Sequence, residues 1–184
     1  KYFILCYDGY EVNNLNGLQF EYIRIKKRNK HLNTKIVADG GFKTYADIIK
    51  ALALGADYVM LGSVFNKALE SCGETFMKDA QNQYYQVDFE RAKNAFSAGV
   101  PIYKYYRGMS TKEVQKSWGK SELTTSEGVV RLHDVEYTLS GWVENFRHYL
   151  KSAMSYTDSK NLSEFIGQVQ YNQITTASFN RYNK

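Results

Sequence analysis

Cysteine, proline and histidine are scarce in this chain, and long apolar runs are missing. Only two cysteines occur among 184 residues, Cys6 and Cys72. Their separation matches neither a disulfide framework nor a metal-ligand spacing, so any cysteine chemistry is that of a free thiol. The three histidines, His31, His133 and His148, are scattered and have no ligand spacing, so no metal site is assigned. With one proline and no linker-like or low-complexity segment, no domain boundary is visible, and residues 1–184 read as one domain. No internal repeat or heptad run occurs, which excludes a solenoid or a coiled coil. No run approaches the roughly 18 apolar residues of a membrane span, and no charged-then-apolar leader opens the chain. The expectation is a soluble, cytoplasmic protein with no membrane partner.

What is present is ordinary for a globular domain: 43% hydrophobic residues and a net charge of +5. The one basic cluster, Arg24, Lys26, Lys27, Arg28 and Lys30, follows Phe20, Ile23 and Ile25. A phosphate-backbone contact is one reading of it. A solvated outer helix face is the usual reading of such a pattern, and no nucleic-acid partner is assigned. The chain opens on Lys1 rather than Met and passes at once into the apolar run Tyr2-Phe3-Ile4-Leu5-Cys6. This predicts a piece of a longer protein.

The informative stretch is IVADGGFKTYADIIKALALGADYVMLGS, residues 36–63. Ile36-Val37-Ala38 and Tyr58-Val59-Met60-Leu61 are short, apolar and rich in strand formers, as strands buried on both faces should be. Between them Thr44 and Asp47 have capping-box spacing, Ile48, Ile49, Leu52 and Ala53 supply an apolar face, and Gly55 marks the stop. Two strands joined by one helix lie parallel, so both strand ends emerge on the same rim. Asp39-Gly40-Gly41 and Gly62-Ser63 then become neighbours. Glycine turns leave backbone N–H groups open to an anion, and Ser63 adds a hydroxyl donor, as a phosphate requires. The Asp39 carboxylate would repel phosphate but accept hydrogen bonds from two sugar hydroxyls. Phosphate and ribose together mean a nucleotide. Taken alone, the same glycines could serve only as tight turns.

The stretch resembles the corresponding part of the inosine monophosphate dehydrogenase and guanosine monophosphate (GMP) reductase family. The resemblance continues through Glu70-Ser71-Cys72-Gly73-Glu74, Tyr106-Arg107-Gly108-Met109-Ser110, Ser126-Glu127-Gly128 and Lys151-Ser152-Ala153-Met154-Ser155-Tyr156. It implies the C-terminal portion of a (β/α)8 TIM barrel, with its last two strands, flap and C-terminal helices, and with the N-terminal strands missing. Residues 75–130 would be insertion and flap, and 157–184 a terminal helix and tail. The resemblance makes Asp39 the ribose ligand and Gly40, Gly41, Gly62 and Ser63 the phosphate turns. Gly108, Met109 and Ser110 would lie along the purine, flanked by Ser126 and Gly128.

Within that family the flap separates the two activities. Here Gly108-Met109-Ser110-Thr111 and a short segment to Glu127 without an Arg-Tyr pair resemble the reductase, as does Thr125-Ser126-Glu127-Gly128. The implied reaction is reduction of GMP by NADPH to inosine monophosphate with loss of ammonia. Glu127 would be the acid that assists ammonia loss and Cys6 the nucleophile, with Gln19 near the glutamine that follows the family's cysteine loop. Around Cys6 the motif departs from the family. Phe3-Ile4-Leu5 replaces a Gly-Ser turn, and Asp8 replaces a threonine and would oppose thiolate formation. A buried, inert Cys6 is the competing reading, and Cys72 reads as a packing residue. Thr124 stands where the reductase has an arginine near the base. Ser152 and Tyr156 correspond to a segment that contacts the cofactor from a neighbouring subunit. The resemblance also implies a homotetramer and a monovalent cation such as potassium. Two rivals stand beside the reductase: the family's dehydrogenase, and a relative that binds purine nucleotides without turning them over.

Residues 75–104, with Tyr84, Tyr85, Phe89 and Phe96 among charges, read as amphipathic packing rather than as a second ligand site. The tail from Asn161 is rich in Asn, Gln, Tyr and Ser and reads as a helix followed by a poorly ordered end.

Overall fold

The computed structural model describes residues 2–6, 35–107, 112–119, 130–170 and 181. The chain divides into two compact units, Lys1–Gly62 with Glu144–Lys184, and Ser63–Val143.

The first unit is built on a parallel sheet of β1 (Tyr2–Cys6), β2 (Lys35–Asp39) and β3 (Tyr58–Met60), in that order. Helix α1 (Tyr45–Ala53) connects β2 to β3, as a parallel pair requires. Burial alternates along β2. Ile36 and Ala38 are buried and cluster with Ala51 and Ala56, while Phe42, Leu54 and Val59 pack around them. Val37 and Asp39 are half-buried, and strand alternation gives them the opposite face. Burying Ile36 contributes about 1.5–3 kcal/mol. Its amide donates to Asp57 Oδ2 at 2.9 Å, and Lys35 Nζ lies 3.5 Å from the same carboxylate, so Asp57 pins the start of β2.

The capping box read from the sequence is formed. Asp47 N–H donates to Thr44 Oγ1 at 3.2 Å, and Asp47 Oδ2 accepts from Thr44 N–H at 3.0 Å and Lys43 N–H at 3.3 Å. At the other end of α1, Gly167 N–H donates to the carbonyls of Leu52 and Ala53, at 3.2 and 3.1 Å. Helix α5 (Leu139–Tyr156) contributes Phe146 and Tyr149, whose rings stack on Tyr45 with centroids 6.3 and 5.0 Å away. A short helix, α6 (Leu162–Phe165), buries Phe165.

The second unit opens on α2 (Ser63–Asn66) and carries an antiparallel sheet of β4 (Thr75–Lys78), β5 (Tyr84–Val87), β6 (Tyr103–Arg107) and β7 (Val130–Asp134), ordered β5-β4-β6-β7. Helices α3 (Phe89–Ser97) and α4 (Lys112–Ser117) lie between strands in sequence. Asp79 Oδ1 makes the β4–β5 turn by accepting from the amides of Gln81 and Gln83, at 2.9 and 2.8 Å. Asp88 caps α3 by accepting from Arg91 N–H at 2.8 Å. Leu69, Val87, Ala92, Ile102 and Val135 form the core, with Met77, Tyr85, Ala95 and Phe96 against it. Lys78 Nζ sits 5.0 Å from the centre of the Tyr84 ring and 5.2 Å from that of Tyr103.

Three features differ from the sequence expectation. Strand β3, read as buried on both faces, exposes Tyr58 and Met60. The opening apolar run is a third parallel strand, β1, paired with β2 along its whole length. Part of the 75–104 segment is a β-hairpin, and the side chains of Tyr84 and Phe89 are exposed rather than covering apolar surface. The short alternating runs Thr75–Lys78 and Tyr84–Val87 favour strands, and the cation over Tyr84 lets that ring stand in solvent.

Candidate nucleotide site

The C-terminal end of β2 delivers Asp39, and the backbone turns there through Gly40 and Gly41 at φ of 100° and 75°. Such successive left-handed angles strain any residue with a Cβ, so the Gly-Gly pair is dictated by the turn. Cys6 and Met60 flank Asp39 in register, on β1 and β3. Gly62 follows β3 and is exposed, and a Cβ placed on it would meet nothing within 4 Å. The next residue, Ser63, is exposed and opens the second unit. The capping box engages the amides of Lys43, Thr44 and Asp47.

On α5, Ser152 and Tyr156 are one turn apart and both exposed, Tyr156 at 91%. Ser152 Oγ donates to the His148 carbonyl at 3.0 Å, which leaves its oxygen able to accept a hydrogen bond. An outward hydroxyl beside an outward aromatic ring suits the sugar and base of a dinucleotide.

Gly108, Met109, Ser110, Ser126, Glu127 and Gly128 lie outside the described residues, as do Asp8, Gln19, Thr124, the basic cluster at 24–30 and the tail at 171–180. Cys72, expected in packing, is an exposed free thiol. Among the described residues no group of three or more His, Cys, Asp or Glu is arranged to hold a metal, and no helix is long and apolar enough to cross a membrane. A buried lysine, Lys104, escaped sequence reading. It sits within the Tyr-rich run Tyr103–Tyr106, where periodicity carries no signal for a buried cation.

Residues 21–183 match the family model described as IMP dehydrogenase / GMP reductase domain. The chain belongs to this family. The inosine-5'-monophosphate dehydrogenase of Chlorobaculum parvum is 32% identical over 145 residues, covering 79% of this chain and 28% of that protein. The GMP reductase of Onchocerca volvulus is 29% identical over 153 residues, covering 82% and 36%. The solved structure of a GMP reductase variant from Trypanosoma brucei, in complex with guanosine 5'-monophosphate, matches with a TM-score of 0.64 at 24% identity, over 89% of this chain and 30% of that one. The IMP dehydrogenase / GMP reductase fold is therefore present in part, and the chain spans about a third of the length of the relatives it matches. Relatives of both enzyme names match at nearly equal identity.

Proposed function

We propose that this chain is the C-terminal portion of a GMP reductase-like (β/α)8 barrel, which in the whole protein reduces GMP with NADPH to inosine monophosphate and ammonia. The observation that carries the reading is the end of β2: Asp39 stands in register beside Cys6 and is followed by two glycines in left-handed turns. On this reading the nucleophile, the ribose acceptor and the backbone donors come from adjacent strand ends, on the rim where barrel enzymes place their chemistry. The reductase rather than the dehydrogenase is favoured by Gly108-Met109-Ser110-Thr111 and by the short segment to Glu127, which lacks an Arg-Tyr pair.

In this mechanism Asp39 accepts hydrogen bonds from the ribose hydroxyls. The turns at Gly40-Gly41 and Gly62-Ser63 hold the phosphate, and Gly108, Met109 and Ser110 line the purine beside Ser126 and Gly128. The Cys6 thiolate adds to purine C2. Glu127 donates the proton with which the C2–N bond breaks and ammonia leaves. Ser152 and Tyr156 would hold the NADPH nicotinamide cofactor, whose chemistry would supply the hydride that replaces sulfur at C2 and frees the Cys6 thiolate. The outward Tyr156 accords with a cofactor shared between subunits of a homotetramer.

The test is the absorbance of reduced nicotinamide with the full-length protein. GMP-dependent oxidation of NADPH with release of ammonia is expected. Turnover confined to NAD reduction by inosine monophosphate would identify the dehydrogenase instead. Nucleotide binding without turnover in either direction would identify a non-catalytic relative.

A further inference from the structure

The motif Glu70-Ser71-Cys72-Gly73-Glu74 has no role in the chemistry above, yet it is tied to β6 at three successive points. Lys104 Nζ donates to the Ser71 carbonyl at 3.0 Å. Tyr105 N–H donates to the Glu74 carbonyl at 2.9 Å. Between these bonds Gly73 adopts φ of +123°, and a Cβ there would lie 2.5 Å from the Tyr105 carbonyl oxygen. Only glycine lets the two backbones approach so closely. The motif is anchored at its start as well, because Glu70 Oε2 accepts from Leu139 N–H at 2.8 Å and Ser71 Oγ donates to the Asn66 carbonyl at 3.3 Å.

Lys104 is the unexpected member. Its side chain is 4% exposed, and its register partner on β4, Thr75, is the other buried polar residue among those described. Burial lowers the lysine's affinity for its proton, while Glu70 and Cys72 pull in the opposite direction. A strand that needed only packing would be better served by an apolar side chain, since desolvating an ammonium is costly. What the ammonium adds is a directional donor aimed at one loop carbonyl.

We infer that Lys104 is a positioning residue whose ammonium locks the Glu70–Glu74 loop onto β6 and so fixes the exit of that strand at Arg107. Gly108-Met109-Ser110 starts at that exit, so the consequence for nucleotide binding rests on the reading of that segment as the purine contact. A strand end displaced by about 1 Å is enough to cost an enzyme much of its substrate alignment.

The experiment compares Lys104→Met, which keeps the stem without the donor, Lys104→Arg, which keeps a donor, and Gly73→Ala, which disturbs the same junction from the loop side, all in the full-length protein. Expected for Lys104→Met and Gly73→Ala is a KM for GMP raised about tenfold or more with kcat within about threefold, and substantial recovery in Lys104→Arg. Amides of Ser71–Glu74 should exchange faster with solvent in Lys104→Met. Unchanged KM together with unchanged exchange overturns the inference. Should Lys104→Met fail to fold, Gly73→Ala and Lys104→Arg decide it by the same readouts. If the wild type neither binds GMP nor oxidises NADPH, the proposed function fails by itself, and the exchange rates still decide whether Lys104 holds the loop.

Discussion

Cys6 and Asp39 are register partners at the C-terminal ends of adjacent parallel strands. Neighbouring strands lie about 4.8 Å apart, so a purine nucleotide whose ribose is held by Asp39 has a thiol-bearing residue on the next strand. The pairing turns two separate sequence features, a cysteine in an apolar run and an aspartate before two glycines, into one local arrangement.

Replacing Asp39 by Ala in the full-length protein is expected to weaken GMP binding by about 1.5–3 kcal/mol, the worth of hydrogen bonds to a charged group. Titration calorimetry measures this directly. Equal affinity in wild type and variant would remove Asp39 from the site.

Cys6→Ser is expected to abolish formation of a covalent purine adduct, detected by mass spectrometry, because a neutral hydroxyl is a far weaker nucleophile than a thiolate. Glu127→Gln is expected to bind GMP and yet release no ammonia, since its amide cannot supply the proton. Full activity in Cys6→Ser with none in Glu127→Gln would place the nucleophile on another residue.

Lys104 gives a stability signature in alkaline solution. Its burial lowers the folded-state pKa below the ordinary 10.5. Between the two values the unfolded chain binds more protons than the folded one, so this group's contribution to stability rises with pH through that window. Below the window its burial penalty is constant. The difference in unfolding free energy between wild type and Lys104→Met should therefore shift in favour of wild type as pH climbs toward about 10. Denaturant titrations at a series of pH values measure it, and a flat difference would count against a strained lysine.

Thr44→Ala removes the hydroxyl that accepts from Asp47 N–H and is expected to cost about 1 kcal/mol, with an unchanged denaturant slope. A loss below a few tenths of a kcal/mol would mean that Asp47 alone, through the Thr44 and Lys43 amides, secures the helix start.

Much of the first unit was legible because its signals are local. The β2–α1–β3 order follows from two apolar runs with a capped, amphipathic segment between them, and the Thr44–Asp47 box and the Gly40-Gly41 turn formed where the sequence put them. β1 was seen only as an apolar run, since a strand's partner lies in distant sequence and Tyr2–Cys6 needs Lys35–Asp39 to become one. The β4–β5 hairpin was obscured by Tyr84, which resembles core but stands exposed beneath a cation. Lys104 was illegible for a related reason: its register partners Thr75 and His133 and its acceptor, the Ser71 carbonyl, are all far from it in sequence. The family motifs located the candidate site, and register added what they lacked, the adjacency of Cys6 to Asp39.

The bonds from Gly167 to the end of α1 bear on how the chain comes to be folded during synthesis. The Leu52 carbonyl is met locally by Gly55 N–H at 2.9 Å, whereas the Ala53 carbonyl emerges from a ribosome long before the Gly167 amide that donates to it. The whole of Ser63–Val143 is made in the interval, and among the described residues its strands pair with one another. That second unit can therefore acquire its structure while the Ala53 carbonyl at the end of α1 still lacks its Gly167 donor. A nascent chain stalled before residue 167 should accordingly be cut by protease near Leu54-Gly55 and be spared within β4–β6.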